Sequence, residues 1–125
     1  MRVEYKVRRT IEGGCLCGAI RYQITAEPVY QTLCYCTDCQ TISGAAGYAA
    51  FGVPMENFRI IKGKPAKYSI RADSGRTNTR VFCQVCGTRL FALLEELGVA
   101  SVNGLSLDDK EHFQPATINL PESAP

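Results

Sequence analysis

Seven cysteines gathered into three tight groups constrain this chain more than any other feature: Cys15 with Cys17, then Cys34, Cys36 and Cys39, then Cys83 with Cys86. A cysteine used as a small buried hydrophobe has no reason to sit within three residues of another, yet all seven do. An odd number of thiols cannot all pair within one chain, which argues against a pure disulfide framework. The N-terminal stretch MRVEYKVRRTIEGG alternates apolar and charged residues and has no apolar signal core. The expected location is therefore the cytoplasm, where thiols stay reduced and clustered cysteines signal metal or catalysis.

Zinc accounts for the spacing. Thiolates must converge at about 2.3 Å from a tetrahedral ion, and short spacers in tight turns aim neighbouring sulfurs at one point. Gly13, Gly14, Gly18 and Gly87 flank the pairs, and glycine supplies the backbone conformations such turns need. The segment VFCQVCGTRLF has the form of a zinc knuckle, with strands on either side of a C-x-x-C-G turn.

Four plus three is the simplest division. The two pairs, Cys15/Cys17 and Cys83/Cys86, complete a closed four-thiolate site of structural type. The triplet Cys34, Cys36 and Cys39 supplies three ligands and leaves a fourth position open, the pattern of catalytic zinc. Two zinc ions per chain are expected. The rival division joins the triplet to one pair and leaves the other pair idle; spacing favours the first.

The rest of the chain bounds the fold and the partners. Its 125 residues suit one domain spanning 1–125. Strand signals dominate, in VEYKVRRTI, AIRYQI, GYAAFGV, FRII, AKYSIRA, NTRVF, RLFALL and VASV, separated by Gly, Pro, Asn and Asp turns. RLFALLEELG is the one long helix candidate, with a strand equally compatible with its first half. Short helical turns are expected from Cys36 to Ile42 and from Pro54 to Phe58, and the triplet is placed in a loop. NLPESAP is expected to fray. Fourteen basic residues against twelve acidic ones give a formal charge of +2, too little for a nucleic-acid partner. The basic group Arg2, Lys6, Arg8 and Arg9 is expected to be a solvated strand face. No apolar run approaches the ~18 residues that span a bilayer, so no membrane partner is expected.

Taken in order, GGCLCGAIRY, CYCTDCQTISGA, FGVPMENF, KYS after a Gly-Lys-Pro turn, RVFCQVCGTRLF and NGLSLDD resemble the glutathione-dependent formaldehyde-activating (GFA) family, which includes centromere protein V. The match runs from about 13 to 109. The resemblance implies a mainly β fold of the β-tent kind, several short coiled antiparallel β-sheets joined by zinc knuckles. It implies structural zinc on Cys15, Cys17, Cys83 and Cys86 and catalytic zinc on Cys34, Cys36 and Cys39. It further implies a carbon–sulfur lyase of the S-(hydroxymethyl)glutathione synthase type, with glutathione and a small aldehyde, formaldehyde, as partners. Where relatives often carry basic residues after the third triplet cysteine, this chain has Gln40 and Thr41. Tyr35 stands where His or Asn is frequent.

A tris-thiolate zinc is electron-rich and a weak Lewis acid, so capture of a substrate thiol is expected over activation of water. Among secondary candidates, Asp38 is expected to form a turn and point outward, Tyr35 to pack or donate, and Ser43 and Gly44 to end the turn. Arg80 and Arg89 bracket the last knuckle, either near its thiolates or on a solvated face; Arg21 and Tyr22 are expected on a strand face. His112 is expected to be an exposed bystander. The alternative function is a non-catalytic β-tent zinc module that binds a protein. An open three-thiolate position distinguishes the two.

Overall fold

The computed structural model describes residues 10–72 and 74–125. Most of VEYKVRRTI, and with it Arg2, Lys6, Arg8 and Arg9, lies outside the described residues. The fold is mainly β, as expected. Strands β1 (Ile11–Gly14), β2 (Arg21–Ile24) and β5 (Phe58–Lys62) form a three-stranded antiparallel sheet in the order β1-β2-β5. The second sheet has seven strands: β3 (Tyr30–Cys34), β4 (Tyr48–Pro54), β6 (Ala66–Arg71), β7 (Thr77–Phe82), β8 (Arg89–Leu94), β9 (Val99–Asn103) and β10 (Thr117–Asn119). Their order is β10-β3-β4-β9-β8-β7-β6, antiparallel except where β10 runs parallel to β3.

Period-two alternation explains how the sheets face each other. On β4, Phe51 and Val53 point to the same side as Val81 of β7, Phe91 of β8 and Val102 of β9. That side packs on Ile11, Tyr22 and Ile24 of the small sheet. Phe58 bridges them, its ring centroid 5.2 Å from Tyr22 and 4.3 Å from Phe91. Tyr22 is fully buried, so its hydroxyl needs a partner and finds Ser106 Oγ at 2.6 Å. Arg21, on the opposite face of β2, pairs with Asp108 instead.

One open reading is decided for strand in its first half, and one expectation is corrected. RLFALLEELG is strand β8 followed by a 3-10 turn at Glu95–Leu97, closed by Gly98 at φ 67°. NLPESAP carries regular structure: Asn119 ends β10, and a 3-10 turn follows at Pro121–Ser123. The helical turns fall where expected, as helix α1 (Thr37–Ser43) and a 3-10 turn at Met55–Asn57. No helix among the described residues is long and apolar enough to cross a membrane.

Candidate metal centres

The first two-cysteine turn joins β1 to β2, and the last joins β7 to β8. They are built alike. Gly18 N–H donates to Cys15 O at 3.1 Å and Gly87 N–H to Cys83 O at 2.8 Å. Both glycines sit near φ +80°, a left-handed conformation that a side chain strains. Thr88 ties the turns together by accepting from Leu16 N–H at 3.1 Å.

All four sulfurs of Cys15, Cys17, Cys83 and Cys86 lie within 4.8 Å of one another. Cys17 Sγ is 3.6 Å from Cys15 Sγ and 3.8 Å from Cys83 Sγ. A tetrahedron with bonds of about 2.3 Å has sulfur–sulfur edges of about 3.8 Å, so the donor set fits one zinc ion. Backbone N–H groups already point at these sulfurs, from Ile20 to Cys15 at 3.2 Å and from Val85 and Cys86 to Cys83 at 3.3 and 3.4 Å. Such donors stabilise thiolate over thiol. The hydrogen bond with the Thr88 side chain holds Cys86 down, at about 5.

The triplet is assembled differently, and not in a loop. Cys34 is the last residue of β3, Cys36 caps the N-terminus of α1, and Cys39 is buried within that helix. Cys36 Sγ accepts the N–H of Cys39 at 3.1 Å, the bond an N-cap serine makes with oxygen. The three sulfurs also lie within 4.8 Å of one another, with no described His, Asp or Glu completing the group. Cys34 is held down, at about 5, by the hydrogen bond from Cys39; the same contact pushes Cys39 up. The triplet thus offers three converging soft donors that also suit zinc.

A cavity of about 410 Å³ opens beside these three thiols. Its floor is the face of the seven-stranded sheet turned away from the core: Thr32 and Cys34 of β3, Tyr48 of β4, Ser101 of β9, Ala92 of β8 and Arg80 of β7. Tyr48 donates its hydroxyl to Ser101 O at 2.8 Å. Burial pushes the Tyr48 and Tyr30 hydroxyls up, so both remain neutral donors. Asp38 and Thr37 of α1 stand at the rim. The four cysteines of the first group do not line this cavity.

Several secondary candidates resolve. Gly47 leaves room for the Tyr35 ring, which a Cβ there would meet at 2.8 Å; Tyr35 packs. Ser43 Oγ bonds Gly47 O and Ala45 N, and Gly44 closes α1 at φ 70°, so both end the helix. Asp38 is exposed, as expected, but also lines the cavity. Arg89 lies 5.5 Å from the Phe82 ring centroid. Arg80 is neither solvated nor at its knuckle: it is buried in the cavity wall. His112, expected to be exposed, is instead half-buried beside Asp109 at 4.0 Å, and it belongs to neither cysteine group.

Three contributions went unnoticed in the sequence. Asn119 Nδ2 lies 3.5 Å from Cys34 Sγ. Gln40 donates to Tyr35 O at 2.7 Å and Ser123 O at 2.6 Å, pinning the C-terminal segment over α1. Tyr30 and Tyr48 shape the floor. No local pattern announces them, because each acts through a residue more than 50 positions away or through a sheet face.

A model of the glutathione-dependent formaldehyde-activating enzyme family matches residues 10–120, and the chain belongs to that family. A Halomonas elongata protein, provisionally named a glutathione-dependent formaldehyde-activating enzyme, is 29% identical over 85 residues. The alignment covers 65% of this chain and 54% of the relative, so the chain matches about half of that protein's length. A crystal structure of a Rhodobacter sphaeroides protein aligns with a TM-score of 0.66 at 17% identity, covering 86% of this chain and 99% of that one. That likeness concerns the fold.

Proposed function

We propose that this chain, as a single domain over residues 1–125, is a two-zinc carbon–sulfur lyase of the S-(hydroxymethyl)glutathione synthase type, acting on thiol adducts of small aldehydes. One observation carries the reading: the three triplet thiols open onto the cavity of about 410 Å³, whereas the other four thiols do not line it. Cys15, Cys17, Cys83 and Cys86 hold the structural ion; Cys34, Cys36 and Cys39 hold the catalytic one. When bound there, zinc supplies a docking position that favours a substrate thiol in its thiolate form.

In the forward reaction a bond forms between the thiol sulfur and the aldehyde carbon, and the carbonyl π bond breaks. The thiol proton ends on the new hydroxyl oxygen, so no oxidant or reductant is needed. The chain's part is positioning: β3 and α1 fix the three ligands, Asn119 orients Cys34, and the sheet floor places the substrate. Neutral Tyr48 and Tyr30 keep the floor polar without adding charge beside the thiolates. The β-tent arrangement and a cytoplasmic setting are part of the same reading.

The experiment is exchange NMR on formaldehyde and glutathione with zinc-loaded protein. Catalysed interconversion of free glutathione and S-(hydroxymethyl)glutathione above the spontaneous rate is expected, with its loss in Cys36→Ser. A rate equal to the protein-free mixture would overturn the assignment and leave the non-catalytic zinc module in its place.

A further inference from the structure

Arg80 is the anomaly of the large sheet. The residue is 8% exposed, and no carboxylate or hydrogen-bond acceptor meets its guanidinium among the described residues. Its nitrogens are not among the fully buried atoms that lack a partner, so the stem is buried while the guanidinium faces the cavity, where a ligand can supply the counter-charge. Two residues earlier on the same face of β7, Asn78 Oδ1 is a buried acceptor with no partner. Both residues line the cavity that the triplet opens onto.

Their placement sets the ligand's length. Arg80 and Asn78 lie on β7 and Cys34 lies on β3, with β4, β9 and β8 between. Four strand spacings of about 4.8 Å separate them by roughly 19 Å along the sheet, before the long arginine side chain reaches back. The small residues Ala50, Ala92 and Ser101 pave the interval. A molecule with sulfur at one end and charge at the other spans it; a two-carbon thiol does not.

The chemistry of the far end is equally specific. A guanidinium presents paired N–H donors that match a carboxylate. An amide oxygen beside it asks for an N–H donor from the same ligand. A carboxylate and an N–H on one carbon are the end of an amino acid or peptide. We propose that Arg80 and Asn78 form the carboxylate and N–H anchor of the cavity and select a peptide-like thiol substrate; this rests on the reading of the triplet as the thiol-docking site. Gln40, which follows Cys39, is occupied in holding the C-terminal segment and offers no such anchor.

Calorimetric titration of zinc-loaded protein tests this with four probes: glutathione, S-methylglutathione, glutathione diethyl ester and 2-mercaptoethanol. S-Methylglutathione keeps the carboxylates and blocks the thiol, so it reports the anchor apart from the metal. In the wild-type protein, esterification should weaken binding about 10–100-fold relative to glutathione, the loss expected for charge-assisted hydrogen bonds. Arg80→Met should weaken glutathione and S-methylglutathione by the same factor and leave 2-mercaptoethanol unchanged. Its melting temperature should not fall, because no hydrogen bond or ion pair among the described residues is lost. Arg80→Lys should fall between.

Undiminished binding of the diester would overturn the anchor whether or not the methionine variant folds. So would S-methylglutathione binding that ignores Arg80→Met, or equal weakening of 2-mercaptoethanol. Glutathione binding no tighter than S-methylglutathione, with both dependent on Arg80, would leave the anchor standing and remove the thiol-docking reading.

Discussion

Asn119 stands level with Cys34 in the parallel pairing of β10 with β3, and its side-chain amide lies 3.5 Å from the cysteine sulfur. A segment 85 residues downstream therefore contacts a cysteine of the triplet. Groups that bond to metal-binding side chains tune affinity substantially. Asn119→Ala should lower zinc retention at the triplet roughly 10–100-fold. Competition with a chromophoric chelator measures this, and unchanged affinity would show that β10 serves the fold alone.

Replacing Cys83 with serine should cost the fold. Zinc at closed thiolate sites contributes roughly 10–16 kcal/mol of apparent binding free energy in small peptides, as much as a whole domain's net stability of about 5–15 kcal/mol. Cys83 is also 1% exposed and lies within the core cluster. Insoluble protein or a lost cooperative melt is expected, and an unchanged melting temperature would refute the structural role.

Cys36→Ser should behave in the opposite way. Cys36 caps α1 through its side chain, and serine is an equally good N-cap. The melt should stay within about 1 kcal/mol of wild type while triplet metal and activity disappear. Destabilisation on the scale of Cys83→Ser would mean that both cysteine groups hold the fold.

The Arg21–Asp108 pair predicts a pH signature. The hydrogen bond from Arg21 holds the Asp108 carboxyl below its ordinary value. A depressed folded-state value stabilises the fold above the unfolded carboxylate range and ceases to do so as acid protonates Asp108. Asp108→Asn should therefore lower the melting temperature slightly at neutral pH, the pair being exposed. The difference should shrink away as acid protonates Asp108 in the folded state. A gap that persists in acid would assign the loss to packing.

The cysteine clusters were legible in the sequence because each pair and the triplet are near neighbours along the chain, and short spacers with glycine announce knuckle geometry. Most strands were legible for a similar reason: β4, β7, β8 and β9 carry β-branched or apolar runs between turn residues. β3 was missed because Tyr30–Cys34 is half-buried throughout and lacks alternation. β10 was missed because Thr117–Asn119 is exposed and forms by pairing with β3, not by burial. The cavity was beyond reach for a physical reason: one face of five adjacent strands makes its floor, and register across a sheet is set by tertiary pairing. Arg80 was noticed for its place near Cys83, yet strand alternation turns it toward the other cysteine group.

Stepwise removal of zinc, with mass mapping of alkylated cysteines at each step, tests the division of labour most directly. Two zinc ions per chain should bind. The first to leave under mild chelation should expose Cys34, Cys36 and Cys39 to alkylation while the melt stays cooperative, because an open coordination position exchanges ligands and a closed one does not. Modification of Cys15 or Cys86 before the triplet, or a fold lost with the first ion, would contradict the account.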